Sequence, residues 1–135
     1  MRKTASEIES DLYALINSSA LKATITGQIY RAGYRPLNAK TEDAVISFLT
    51  GLDAQIQTGV LMVNVYVADI DNGSGVLVKN GVRCRALEIL ANQIIHGFTP
   101  GEYKYTLGGI IQTLPAEGIN EHYVNARIKF ELATF

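Results

Sequence analysis

The chain has 135 residues, of which 47% are hydrophobic and 19% charged, values that fit one globular domain with a modest core and exclude a disordered polypeptide. Twelve Lys and Arg stand against thirteen Asp and Glu for a formal net charge of −1, and the basic residues are scattered, which argues against a dedicated nucleic-acid-binding face. A single cysteine, Cys84, rules out an internal disulfide, and no window approaches the roughly 20 apolar residues of a membrane helix.

The opening segment MRKTASEIESDL has two basic residues but no apolar run behind them, unlike a signal peptide. Without secretion, the Asn-x-Ser triplets at Asn17 and Asn72 carry no weight. A helix is predicted from Thr4 to Asn17. Thr4 with Glu7, or Ser6 with Glu9, has the spacing of a capping box, and Ile8, Leu12, Leu15 and Ile16 recur on one face. A short strand follows around Gln28 to Tyr30, then a turn or bulge at Gly33 and Pro36.

Ala44 to Leu49 reads as a second strand, with Ile46 and Phe48 on one face and Val45 and Leu49 on the other. Thr50 to Asp53 connects it by a loop or hairpin to the most apolar run of the chain, Ile56 to Val67. Side chains alternate between faces in a strand. Leu61, Val63, Val65 and Val67 therefore share one side, and Val60, Met62, Asn64 and Tyr66 share the other.

Asp69 to Asn80 is rich in turn residues and reads as an exposed loop, with Val76 to Val78 as a short hairpin arm. Asn80 caps a second helix, Gly81 to His96, whose apolar stripe is Cys84, Leu87, Ala91, Ile94 and Ile95, with Leu90 beside it. Arg85 and Glu88 are placed to pair on its wet side, and Gly97 fits a left-handed helix terminus. Short strands follow at Tyr103–Thr106 and Ile110–Leu114. Val124 to Leu132 alternates cleanly, with Asn125, Arg127, Lys129 and Glu131 on a wet side. The order α-β-β-β-α-β-β predicts an α+β domain over residues 1–135: one antiparallel or mixed sheet with two helices packed on one face.

A catalytic centre needs convergent titratable groups, and the sequence offers few. His96 falls at a helix C-terminus, where a cation is favoured. His122 falls at the start of the last strand and is expected to be exposed. Cys84 lies on an apolar stripe and reads as an inert buried thiol. One cysteine and two distant histidines make no zinc set. Asp69-Ile-Asp-Asn-Gly-Ser-Gly75 departs from the EF-hand pattern, with Ser74 where the glycine belongs and Asn80 where the glutamate belongs. Phosphate-binding glycine loops and a Gly-x-Ser-x-Gly elbow are absent. Glu42 and Asp43, near Arg35, are paired carboxylates, and a solvated or interface-pairing cluster is the simpler reading than acid–base work. No catalysis, cofactor or metal is expected.

Two helices of about four turns cannot cover both faces of such a sheet. Met62, Tyr66 and one face of Ala44 to Leu49 are left without cover in a monomer. Large contiguous apolar patches are rare on monomers, so a homo-oligomer is expected.

Arg35-Pro36-x-Asn38, Glu42-Asp43-Ala-Val45-Ile46, Gln55-Ile56-Gln57-x-Gly59, Val63-Asn64-Val65-Tyr66-Val67 and His122-x-x-Asn125-x-Arg127-Ile128 together resemble a family of tailed bacteriophages and prophages. It is the tail-completion or tail-terminator family, and the resemblance spans Ser6 to Phe130. It implies a virion structural protein, assembled in the bacterial cytoplasm, that forms a ring, commonly hexameric. Such a ring caps the tail tube and joins it to the head connector, so the implied partners are copies of itself, tail-tube and connector proteins, and DNA in transit, with no membrane.

On that reading, Arg35, Glu42, Asp43, Gln55, Gln57, Met62 and Tyr66 are candidate subunit contacts. Asp69, Asp71, Asn72 and Lys79 belong to a candidate docking loop, and Arg127 and Lys129 would face a lumen. Two alternatives stand beside it: a small enzyme or ligand-binding domain with a pocket under the 69–80 loop, or another head–tail or tail-tube component.

Overall fold

A computed structural model describes residues 2–134, so the outermost residues of the expected domain lie outside it. The backbone forms α1 (Ala5–Asn17), α2 (Ala20–Thr24), β1 (Ile29–Arg31), β2 (Ala44–Leu52), β3 (Ile56–Ala68), β4 (Ile70–Asp71), β5 (Leu77–Val78), α3 (Gly81–His96), β6 (Tyr103–Leu107), β7 (Gln112–Pro115) and β8 (Glu121–Ala133). The fold is α+β. The main sheet runs β1-β2-β3-β8-β6, and β7 continues along the same edge of β8 as β6. It is mixed, because β1 lies parallel to β2 while its other pairs are antiparallel.

Strands β3 and β8 form the spine. Each is 13 residues long, and they pair without a register break from Ile56 opposite Ala133 to Ala68 opposite Glu121. The inward set Leu61, Val63, Val65, Ala126, Ile128 and Phe130 is essentially sealed from solvent. Helices α1 and α3 cover that side, α1 over β1 and β2, α3 over β8 and β6. The hydrophobic effect supplies the drive: each fully buried Leu, Ile or Val contributes about 1.5–3 kcal/mol. Helix α1 starts with the Thr4–Glu7 capping box, both reciprocal bonds being present. Asn80 caps α3 by accepting from the Arg83 N–H at 3.2 Å.

Several details depart from expectation. A short helix, α2, follows α1, capped by Ser19 and pinned by the buried Leu21. Strand β2 continues through Leu52, with a bulge between Phe48 and Thr50. Asp69–Asn80 is not wholly loop but carries the two-stranded β4–β5 ribbon. Gly97 is not left-handed: its φ is −88°, and its N–H donates to carbonyls of the last α3 turn. Glu88 turns away from Arg85 and accepts from the Thr113 hydroxyl at 2.7 Å, which ties α3 to β7. Tertiary packing offered that carboxylate a partly buried donor, and an exposed helix pair is worth only about 0.3–0.5 kcal/mol.

At the β6 end of the core, Tyr103 and Tyr105 stack with ring centroids 5.1 Å apart. Tyr103 donates its hydroxyl to Asp11 Oδ2 at 2.6 Å, whereas the buried Tyr105 hydroxyl has no partner among the described residues. Burial pushes both phenols above their ordinary value, helped at Tyr103 by the bond to Asp11. A phenol pKa raised by folding leaves its stabilisation intact below the unfolded value of about 10 and erodes it as pH climbs past that value. Urea unfolding between about pH 9 and 12 is therefore expected to show a steep loss of stability. Tyr105→Phe should flatten that loss, and at neutral pH it should be neutral or stabilising because it removes an orphaned donor.

Gly59 is sterically required. A Cβ there would meet the Thr50 carbonyl and lie 2.8 Å from Phe130 Cε1. Overpacking of this kind costs about 1–3 kcal/mol. Gly59→Ala is expected to lower the urea midpoint without changing the slope.

Candidate functional site

The alternation that buries Leu61, Val63 and Val65 turns Val60, Met62, Asn64 and Tyr66 to the opposite face of the sheet. No helix covers that face among the described residues. Register sets their neighbours: Lys129 lies opposite Val60, Arg127 opposite Met62, Asn125 opposite Asn64 and Tyr123 opposite Tyr66. On the far side of β8, Thr106 faces Lys129 and Lys104 faces Glu131. Val45, Val60, Met62 and Tyr66 are half-buried, while Lys104, Arg127 and Lys129 are exposed. A shallow groove of about 440 Å³ runs here, between Thr58 and Val60 on β3 and Lys104 and Thr106 on β6.

This surface is not a bare apolar patch. Asn125 donates to Asn64 Oδ1 at 2.7 Å and is itself only 7% exposed, so a strand position expected to be wet is closed by its cross-strand partner. Tyr66 packs on Tyr123 at 5.5 Å between ring centroids. The Arg35 guanidinium lies 4.3 Å from the Tyr66 ring centroid, within reach of a cation–π attraction.

Arg35 belongs to a network that anchors the connection between β1 and β2. Its Nε donates to Asp43 Oδ2 at 2.9 Å, and its Nη2 donates to Glu121 Oε1 at 3.3 Å and to the Thr41 carbonyl at 3.2 Å. Asp43 is 1% exposed and also accepts from the Gln28 N–H at 2.8 Å and from the Thr41 hydroxyl. Burial opposes the Arg35 charge, but the bonds to Asp43 and Glu121 more than offset it, holding the guanidinium above its ordinary pKa. Glu42 reaches the other way. It takes a forked pair of 2.7 Å bonds from Arg83 on α3, and that fork holds the Arg83 guanidinium up despite partial burial.

Most of the expected subunit-contact residues also have partners within the chain. Asp43 and Gln57 are buried, and Arg35 and Glu42 are bonded within the chain. Gln57 exchanges hydrogen bonds with the Lys3 backbone, from its N–H at 2.9 Å and to its carbonyl at 3.0 Å. Buried charge and amide groups demand partners, and the fold supplies them internally. Met62 and Tyr66 lie on the open face, half-buried, and Gln55 is exposed at the β2–β3 tip.

In the ribbon, Asp71 Oδ1 accepts from the Gly73 and Gly75 N–H groups, and Asn72 Oδ1 accepts from Ser74. Both side chains shape the turn, where Gly73 and Gly75 have φ of 96° and 83°. Lys79 is exposed. Asp69 is bound at the ribbon's base, 2.7 Å from His122 Nδ1. His122 is therefore half-buried and paired rather than exposed, because β8 starts three residues earlier than the alternation indicated and carries it into the sheet. A hollow of about 490 Å³ lies between Leu37–Lys40, Asp69 and Leu77, and the 118–121 turn.

His96 sits at the α3 terminus with Nδ1 2.8 Å from the Asn92 carbonyl oxygen. Burial pushes the Cys84 thiol up. Among the described residues no group of three or more His, Cys, Asp or Glu is placed to hold a metal ion, and no helix is long and apolar enough to cross a membrane.

Two contributors escaped the sequence reading. Glu121, the third member of the Arg35 cluster, had no local signal. Lys104 had one, since Tyr103-Lys-Tyr-Thr106 alternates and sends Lys104 outward. Comparison of the chain with known protein families and with curated proteins finds no match to either.

Removing Arg35 leaves a buried carboxylate without its cation, a loss of about 3–5 kcal/mol in buried pairs. Arg35→Ala should unfold at markedly lower urea. Arg35→Lys should recover only part of the loss, because an ammonium cannot reproduce the guanidinium fork.

Proposed function

We propose that the chain is a virion structural protein of the tail-completion or tail-terminator kind, in which identical subunits form a ring that caps the tail tube and joins it to the head connector. The observation that carries this reading is one-sided cover. A mixed six-stranded sheet has helices on one face only, and the other face presents half-buried Val45, Val60, Met62 and Tyr66 beside exposed cations. Such a face is completed by association, and association between different patches of identical subunits closes into a ring when the rotation permits.

The protein works through geometry in this role. No bond is made or broken; the ring orients partners, and polar rim residues such as Gln55 and Lys79 set register more than affinity. The β4–β5 ribbon is the segment offered to a tail or connector partner. Arg127 and Lys129, repeated around the ring, would line the passage for DNA. The subunit assembles in the bacterial cytoplasm and ends in the virion.

A ligand-binding domain is the second reading, favoured by the hollow of about 490 Å³ beside the ribbon. Its rim is open and its two carboxylates are already paired, Asp69 with His122 and Glu121 with Arg35.

Light scattering after size exclusion separates the two. A mass that climbs with concentration towards a closed multiple of 14.7 kDa, with rings visible by electron microscopy, is the expected outcome. A strict monomer over the same range would remove the ring and favour the hollow.

A further inference from the structure

Asn-Gly occurs twice in the chain, at Asn72-Gly73 and at Asn80-Gly81. Asparagine is among the chemically labile residues, and a following glycine leaves its own N–H unshielded by a Cβ. By sequence alone the two pairs are equivalent. The fold places them in opposite surroundings.

Asn72 and Gly73 stand in the exposed turn that joins β4 to β5. The Gly73 N–H donates to Asp71 Oδ1 at 2.8 Å. The Asn72 side-chain oxygen, Oδ1, accepts from Ser74 twice, from the N–H at 3.1 Å and from the hydroxyl at 2.6 Å. The Val76 N–H donates to Ser74 Oγ at 3.3 Å, which leaves the hydroxyl proton for Asn72. A nitrogen nucleophile, a carboxylate on its proton and two donors on the neighbouring amide carbonyl therefore meet in one turn. A base placed on the transferred proton and donors aimed at a developing oxyanion are what acyl transfer requires, and here both reactants belong to adjacent residues.

Asn80 is held differently. Its Oδ1 accepts from the Arg83 N–H at 3.2 Å as the cap of α3, and its main-chain carbonyl accepts from the Cys84 N–H at 3.0 Å. The Gly81 N–H donates to the Lys79 carbonyl at 3.1 Å, not to a carboxylate. Cyclisation there would first have to unwind the opening turn of a helix whose Cys84 and Leu87 are buried in the core.

We infer that Asn72 is a self-modification site, converted in the folded protein to aspartate and isoaspartate while Asn80 is preserved. Gly73 N bonds to Asn72 Cγ as its proton passes to Asp71. The Cγ–Nδ2 bond breaks, and the amide nitrogen takes up that proton and leaves as ammonia. Water then opens the cyclic imide, at Cγ to give aspartate or at the main-chain carbonyl to give isoaspartate. Either product adds a carboxylate beside Asp71 at the ribbon tip. Isoaspartate also lengthens the main chain next to the Asp71–Leu77 pair. The chemistry does not depend on assembly, although the ribbon is the segment offered to a partner in the role above.

Timed incubation of the full-length protein at mildly alkaline pH tests this. Trypsin cuts after Lys40, Lys79 and Arg83, so the two asparagines fall in different peptides, and mass spectrometry reads the amide-to-acid change in each. In the folded protein Asn72 should convert roughly tenfold faster than Asn80 or more, and the two rates should converge in urea. Asp71→Ala and Ser74→Ala should each slow Asn72 severalfold and leave Asn80 unmoved. Both substituted residues are exposed, and circular dichroism should show unchanged folding. Equal rates at the two sites in the folded protein would overturn the inference. So would unchanged or faster conversion in both variants, because the hydrogen bonds of the turn would then restrain the amide rather than activate it. Either result leaves the ring reading standing.

Discussion

The unbroken pairing of β3 with β8 is the constraint on which the rest depends. A strand's side chains repeat every two residues, so a one-residue slip would expose every buried valine and bury every cation. Leu61, Val63, Val65 and Val67 on β3, against Val124, Ala126, Ile128 and Phe130 on β8, allow a single register. Once it is set, the positions of Met62, Asn64, Tyr66, Arg127 and Lys129 are no longer free. The open face is a consequence of the buried one.

Charged groups divide into two populations with different work. Arg35, Asp43, Glu121, Glu42 and Arg83 lie at the margin of the core and fasten elements distant in sequence: the 32–43 connection, the start of β8, and α3. They specify geometry, and a carboxylate as buried as Asp43 is tolerated only because its oxygens are fully engaged. Lys104, Arg127 and Lys129 remain in water and are free to meet another molecule. Composition alone cannot separate these groups, since both draw on the same near-neutral total.

The expected resemblance to tail-completion proteins and the one-sided sheet bear on the proposed function from independent directions. One is carried by short motifs along most of the chain. The other follows from two long helices packing on the same side of a sheet that has two. Asp43 and Gln57 belong to those motifs and are buried, and their hydrogen bonds hold the fold.

How much was legible follows from the range of each interaction. Helix α1 with its Thr4 cap, helix α3 with Asn80, and the faces of β3 and β8 depend on neighbours within a few residues and on apolar periodicity, and the sequence determined them. So did the conclusion that one sheet face would lack cover. What only the tertiary structure decided depends on residues far apart in the chain. Glu88 chose Thr113 over Arg85, His122 found Asp69, Asn125 was sealed by Asn64, and Arg35 gathered Asp43 and Glu121 across 86 positions. A polar side chain takes the least solvated partner within reach, and which partner that is becomes fixed only when strands and helices have packed.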